Sequence, residues 1–146
     1  MPDILHRVGA RVGPAKIYEA LATTEGLSHW WAINTSGDTA PGGVVKFRFG
    51  ADGCDMKVLA SKPGALVEWE CVGGPPEWIG THLTFRLEQR GADTFVLFKH
   101  AGWREPVEFM HHCSTKWAVF LLSLKGWIEN AEGRPHPYDV KIHPGD

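Results

Sequence analysis

The sequence predicts an α+β domain, in which a curved antiparallel sheet of about six to seven strands packs against one long C-terminal helix, with two short helices after the first strand. Apolar residues recur every three or four positions between 106 and 133, the spacing of one helix face. Segments with period-two alternation, separated by Gly and Pro turns, fill residues 45–100. A long helix cannot bury its apolar face alone, so the sheet must supply the opposing surface.

The long helix is predicted over residues 106–133. Pro106 suits a first turn because its missing N–H would have no partner there, and Gly133 followed by Pro135 is a usual stop signal. The inward face comprises Phe109, Cys113, Trp117, Phe120, Leu121, Leu124 and Ile128. The face expected to meet water carries His112, Lys116, Ser123 and Glu129.

The N-terminal elements are a strand and two short helices. Residues 4–12 alternate with the period of a half-buried strand, since Ile4, Val8, Ala10 and Val12 share one parity. Pro14 then opens a short helix, and Thr24 is a suitable N-cap for a second one through Leu27 to Trp31. Residues 34–43 are rich in Gly, Ser, Thr and Pro, which indicates a loop with one brief strand.

The middle of the chain is predicted to be an antiparallel meander. Turn residues separate segments in which apolar and polar side chains alternate, so each strand presents one face to a core. The predicted strands are 45–49, 54–61, 66–72, 78–89 and 94–100.

Length and composition are those of a single globular domain over residues 1–146, with a core at about 4–131 and a loosely packed tail at 134–146. The net charge of −2 gives no electrostatic argument for nucleic acid as a partner. No apolar stretch is long enough to span a membrane, and the N-terminus lacks the apolar core of a signal peptide. Three cysteines without CxxC spacing indicate reduced thiols and a cytoplasmic location.

Four groups of residues carry a family resemblance across about residues 4–131. They are Ile4-Leu-His-Arg-Val with Pro14-Ala-Lys-Ile-Tyr-Glu-Ala-Leu, Thr24-Glu-Gly-Leu-Ser-His-Trp-Trp, Leu66-Val-Glu-Trp, and His100-Ala-Gly-Trp with Trp117 and Leu121-Leu-Ser-Leu. In this order they resemble the START-like (SRPBCC) superfamily, and within it the group named after the C-terminal domain of the activator of Hsp90 ATPase. The resemblance implies a helix-grip fold with a cavity between sheet and helix, while members differ widely in activity.

Seven tryptophans are the strongest functional signal, because such rings either fill a core or line an apolar pocket. The part of the helix from Phe109 to Phe120 is where a ligand is expected, and the stretch from Leu124 to Ile128 is expected to seal the core. The candidate ligand-cavity residues are Trp30, Trp31, Phe47, Met56, Trp69, Trp78, Phe85, Phe98, His100, Phe109, Cys113, Trp117 and Phe120.

Catalytic residues cannot be assigned from the sequence. His100 and Tyr18 are the polar candidates for proton transfer, and Cys113 could pair with His100 as a nucleophile, but each also has a structural interpretation. No metal or cofactor is expected, because the adjacent His111 and His112 point about 100° apart on a helix.

Three functions remain open at this point. The first is a protein that binds a small hydrophobic or aromatic ligand between sheet and helix. The second is an enzyme of the polyketide cyclase or hydrolase type that uses the same cavity. The third is a co-chaperone-like interaction module, and self-association into a homodimer is compatible with any of them.

Overall fold

The structure is a computed structural model that describes all 146 residues, with seven strands and three α-helices. The N-terminal elements are β1 (Ile4–Ala10), α1 (Pro14–Ala22) and α2 (Thr24–Ser28). The meander comprises β2 (Asn34–Gly37), β3 (Val44–Phe49), β4 (Asp52–Lys62), β5 (Leu66–Gly73), β6 (His82–Arg90) and β7 (Asp93–Ala101). The long helix is α3 (Glu108–Asn130). This is the predicted helix-grip fold.

All seven strands form one antiparallel sheet in the order β1-β7-β6-β5-β4-β3-β2. Only the pairing of β1 with β7 joins strands distant in sequence, and it aligns Ile4 with His100 and Ala10 with Thr94. Two register shifts interrupt the pairing of β4 with β5, one after Asp55 and one after Val58. Such irregularities bend a sheet, which here turns its apolar face toward α3.

The sheet and α3 share a single core of 31 buried hydrophobic residues. The predicted inward positions of α3 are buried, except that Phe109 is only half-buried while Met110 takes the buried place. Ser123, expected to face water, is also buried; its hydroxyl donates to the Trp30 carbonyl oxygen at 2.8 Å and accepts from the Arg134 N–H at 2.7 Å. Neither α3 nor a shorter helix is long and apolar enough to cross a membrane.

The long helix ends at Asn130, three residues before the predicted stop at Gly133. Ala131 takes the left-handed conformation, with φ of 56°, and its N–H bonds to helix carbonyls. Gly133 is required for a different reason: a Cβ at this position would overlap the carbonyl oxygen of His29 and press on the Trp127 side chain. Gly133 therefore permits a close backbone approach after the helix has ended.

The second short helix is capped one residue earlier than predicted. Thr23, not Thr24, is the N-cap, because its hydroxyl oxygen accepts from the Gly26 N–H at 2.9 Å. The helix also ends at Ser28, so Trp30 and Trp31 lie in the turn that follows. This turn directs both indole rings into the core, where their exposed fractions are 0% and 2%.

The tail, residues 134–146, is packed against the domain, so the expectation that it packs loosely was wrong. The His136 N–H donates to the Trp31 carbonyl oxygen at 2.7 Å, and the Ile33 N–H donates to the His136 carbonyl oxygen at 3.2 Å. Asp139 is 5% exposed and forms an ion pair with Lys116 of α3. Backbone hydrogen bonds and a buried ion pair thus fix the tail across the N-terminal half of α3.

Substitutions at Ala131 and Gly133, which both follow α3, should change the stability of the protein in opposite directions. Gly133→Ala should lower the free energy of unfolding by about 1–3 kcal/mol, since the new methyl group has no space. Ala131→Gly should raise it by about 1 kcal/mol, because glycine adopts a positive φ without strain. Denaturant unfolding of both variants measures these changes.

Gly13→Ala is the matched control, because a Cβ at Gly13 meets nothing within 4 Å. Gly13 is the N-cap of α1, with a φ of −71° that alanine adopts freely. The entropy gained by replacing glycine offsets the weaker cap, so the unfolding free energy should stay within about 0.5 kcal/mol of the parent value. Equal effects of Gly13→Ala and Gly133→Ala would contradict the steric explanation.

Candidate functional site

Trp31 is at the centre of an aromatic layer between the sheet and α3. Its ring centroid lies 4.1 Å from that of Phe47 on β3 and 5.0 Å from that of Trp117 on α3. The Trp69 ring on β5 lies parallel to it, with centroids 5.9 Å apart and planes 6° apart. The interior behind this layer is filled by aromatic side chains that pack on each other.

An open cleft of about 870 Å³ lies beside this layer. Its walls are the N-terminal half of α3, the turn between β3 and β4, the loop after β5, and the tail. The Trp and Phe residues of its lining are Trp31, Phe49, Trp78, Phe109, Trp117 and Phe120. The cleft therefore lies at the part of α3 where a ligand is expected from the sequence.

The structure divides the thirteen candidate cavity residues into two groups. Six line the cleft, namely Trp31, Trp78, Phe109, Cys113, Trp117 and Phe120. The other seven lie outside its lining and are buried in the core, namely Trp30, Phe47, Met56, Trp69, Phe85, Phe98 and His100. The parity of a strand shows which side chains point inward, but it does not show which inward side chains reach open space.

His100 connects two of the cleft tryptophans through hydrogen bonds. The indole N–H of Trp117 donates to His100 Nδ1 at 3.2 Å, so the proton of the neutral ring belongs on Nε2. Nε2–H then donates to Thr81 Oγ1 at 2.8 Å, and the Thr81 hydroxyl donates to the carbonyl oxygen of Trp78. Both ring nitrogens are thus used inside the protein.

Burial is the main cause of the low pKa of His100. The residue is 0% exposed, and burial lowers its pKa from 6.5 to about 3, although Asp3 acts in the opposite direction. His100 is therefore neutral near pH 7 and holds the Trp117 ring in place.

Cys113 lines the cleft as a thiol and not as a thiolate. Burial raises its pKa to about 12, although the indole N–H of Trp78 donates to its sulfur at 3.4 Å. A nucleophilic cysteine needs a lowered pKa, so this environment suits a packing role. Tyr18, the other polar candidate, bonds to Ser61 at 2.7 Å and does not line the cleft.

The rim of the cleft is polar, and sequence reasoning missed most of it. Lys116 was expected to face water, yet its ammonium bonds to Asp139, to Asp146 at 2.9 Å and to the Val140 carbonyl oxygen. Burial alone would raise the pKa of Asp139, but hydrogen bonds from Lys116 and Lys141 hold it below its usual value. The side chains of His112, His143 and Asp146 also converge here, with potential ligand atoms within 4.8 Å of one another.

A second depression of about 630 Å³ lies on the outer face of the sheet. Its lining alternates leucines with charged side chains, as expected for a solvated sheet face. It contains only one of the candidate residues, Phe98. The cleft beside α3 is therefore the candidate binding site.

The neutral state of His100 makes stability depend on pH. The unfolded chain binds a proton at this ring below pH 6.5, whereas the folded protein does so only near pH 3. The stabilisation is therefore complete above pH 6.5 and is lost as the pH falls, at up to about 1.4 kcal/mol per pH unit. Denaturant unfolding between about pH 7 and pH 5 measures this slope. Most carboxylates stay ionised in this range, so they add little to the pH dependence.

His100→Gln should flatten that slope, because its amide remains neutral, while lowering stability at pH 7 through the altered hydrogen bonds. His111→Gln is the matched control, since His111 is exposed on α3. An unchanged slope in His100→Gln would show that another group causes the pH dependence.

Comparison with known proteins identifies relatives of the chain and of its fold. The family model described as "Activator of Hsp90 ATPase homolog 1-like protein" matches residues 11–129. The solution structure of the Aha1 dimer from Colwellia psychrerythraea is 46% identical in sequence and superposes with a TM-score of 0.84, over 91% of this chain and 100% of that one. No curated protein matches the chain.

More distant solved structures share the fold. Protein SSP2350 from Staphylococcus saprophyticus is 18% identical, with a TM-score of 0.76 over 92% of this chain and 97% of that one. CalU16 from Micromonospora echinospora is also 18% identical, with a TM-score of 0.75 over 92% of this chain and 77% of that one. The family-model match and the 46% identical relative show that the chain belongs to the family of Activator of Hsp90 ATPase homolog 1-like proteins.

Proposed function

We propose that this protein binds a small, largely apolar ligand in the cleft beside the N-terminal half of α3. The observation that carries the proposal is the cleft itself, with a volume of about 870 Å³, an aromatic floor and a polar rim. Small-molecule sites typically have roughly 300–1,000 Å³ and combine apolar walls with a few polar groups.

The lining indicates the chemistry of the ligand. The rings of Trp78 and Trp117 are nearly parallel, with planes 18° apart and centroids 6.0 Å apart, which favours a flat apolar body beside them. At the rim, His112 supplies a hydrogen-bonding ring. Lys141 supplies a cation with one N–H to spare, because its ammonium bonds only to the Pro137 carbonyl oxygen and to Asp139. A flat molecule with one polar or anionic end matches both parts.

Binding is favoured over the enzymatic alternative. The imidazole of His100 lies behind the cleft lining with both nitrogens already bonded, so it cannot reach a ligand without rearrangement. Cys113 does line the cleft, but its raised pKa leaves it protonated. A cyclase or hydrolase would need a group that exchanges protons with the substrate, and neither side chain supplies one.

Ligand binding predicts a measurable stabilisation. Titration with a panel of flat aromatic carboxylates, flavonoids, polyketides and fatty acids should quench tryptophan fluorescence and raise the melting temperature for at least one class. A ligand at 100 times its Kd stabilises the folded state by about 2.7 kcal/mol. Native mass spectrometry of the same samples gives the stoichiometry, expected to be one ligand per chain.

A matched pair of variants locates the site. Ala51 is an exposed residue of the cleft lining, so Ala51→Trp should narrow the mouth and weaken binding at least about tenfold. Ala65→Trp places the same side chain in an exposed turn outside the cleft and should leave affinity unchanged. Equal loss of affinity in both variants would place the ligand elsewhere.

The panel can also overturn the proposal. If no compound binds and the protein instead stimulates the ATPase of an Hsp90-type chaperone, the co-chaperone alternative replaces it. The Ala51→Trp and Ala65→Trp variants would then serve to test whether the cleft contributes to that contact.

We also propose that the chain forms a homodimer. Support comes from the Colwellia psychrerythraea relative, whose solution structure is a dimer at 46% sequence identity. Light scattering after size-exclusion chromatography should give about twice the chain mass of 16.2 kDa. A single-chain mass at every concentration tested would contradict the proposal.

A reducing, cytoplasmic location is part of the same proposal. Cys54, Cys71 and Cys113 are all free and buried, and none forms a disulfide. Unpaired thiols of this kind are typical of a reducing compartment.

A further inference from the structure

Three potential metal ligands meet at the rim of the cleft. His112 lies on α3, whereas His143 and Asp146 belong to the tail that folds back over it. Their potential ligand atoms all lie within 4.8 Å of one another, and the two imidazole centroids are 5.3 Å apart. The neighbouring His111 is exposed and does not take part in this cluster.

The hydrogen bonds around the cluster leave suitable atoms free. His143 Nδ1 lies 2.8 Å from the carbonyl oxygen of Pro144, which can only accept, so Nδ1 carries the proton and Nε2 keeps its lone pair. A backbone carbonyl that fixes the tautomer in this way is a usual partner of metal-binding histidines. No hydrogen bond occupies the ring nitrogens of His112, whose ring stacks on Phe109 with planes 11° apart.

Asp146 supplies the anionic ligand. Its Oδ2 accepts from Lys116 Nζ at 2.9 Å and from the Ile142 N–H at 2.8 Å, while Oδ1 has no such partner. The charged groups at this rim balance, because Lys116 and Lys141 face Asp139 and Asp146. A dication therefore does not enter a site with excess positive charge.

We propose that His112, His143 and Asp146 bind a divalent transition-metal ion of the Zn²⁺ class. Two imidazole nitrogens and one carboxylate oxygen form a ligand set that suits zinc, and three protein ligands leave a fourth position open. Ligand atoms about 2.0–2.1 Å from a tetrahedral ion lie roughly 3.3 Å apart, so the cluster must contract. Two ligands are on the tail and one is on α3, so a small approach of the tail to α3 closes the site.

The site adds to the proposed function but does not depend on it. The three ligands line the same cleft as the aromatic residues, so the open coordination position faces the space beside α3. A ligand with an anionic or other oxygen-donating end is the chemical class that would complete the coordination.

Metal titration of the full chain tests the proposal. Chelator-treated protein is titrated with Zn²⁺ alone by calorimetry, and with Co²⁺ alone by absorption spectroscopy. We expect one ion per chain and a Co²⁺ spectrum of nitrogen and oxygen ligation. No saturable binding, or a thiolate charge-transfer band that places the ion on cysteine, would overturn the site.

Histidine variants provide the matched comparison. His112→Ala and His143→Ala should each weaken Zn²⁺ binding by at least roughly 100-fold. Loss of a residue that only hydrogen-bonds a metal ligand already weakens binding by roughly 10- to 100-fold, and loss of the ligand itself should cost at least as much. His111→Ala, one position away on the same helix, should retain the parent affinity. His143 is exposed, so its variant tests the site even if His112→Ala disturbs folding. A loss in His111→Ala equal to that in His143→Ala would contradict the proposal.

Discussion

The position of the Trp31 ring is the constraint on which the rest of the structure depends. Its indole packs on rings from β3, β5 and α3, so it fills the space where sheet and helix meet. Its carbonyl oxygen also accepts the hydrogen bond that ties the tail at His136. One residue in a turn thus links all the layers of the domain, and it forms both part of the core and part of the cleft wall.

The sequence was sufficient to predict the fold, because each element has a periodicity that follows from burial. Strand parity placed Trp69 and Phe98 on the inner face, and helical spacing did the same for Cys113 and Trp117. Periodicity does not show, however, how deeply an inward-facing side chain lies within the core. Trp69 is enclosed by other rings, whereas Trp117 belongs to the cleft lining, yet strand parity and helical spacing mark both only as inward-facing.

The polar rim could not be predicted, because it depends on contacts between distant parts of the chain. Lys116 has the spacing of a solvent-facing helix residue, and nothing nearby in sequence indicates that Asp139 and Asp146 will cover it. The tail also lacks any apolar periodicity that would predict docking. It is instead held by backbone hydrogen bonds and ion pairs, and neither leaves a pattern in the sequence.

The three buried thiols have a practical consequence. Burial raises the pKa of Cys71 to about 11 and that of Cys54 well above its ordinary value, as it does for Cys113. Since thiol reagents attack the thiolate, these sulfurs react only when the surrounding structure opens. The modification rates of Cys54, Cys71 and Cys113 under native conditions therefore measure the local opening of β4, β5 and α3, respectively. No probe has to be introduced into the protein for this measurement.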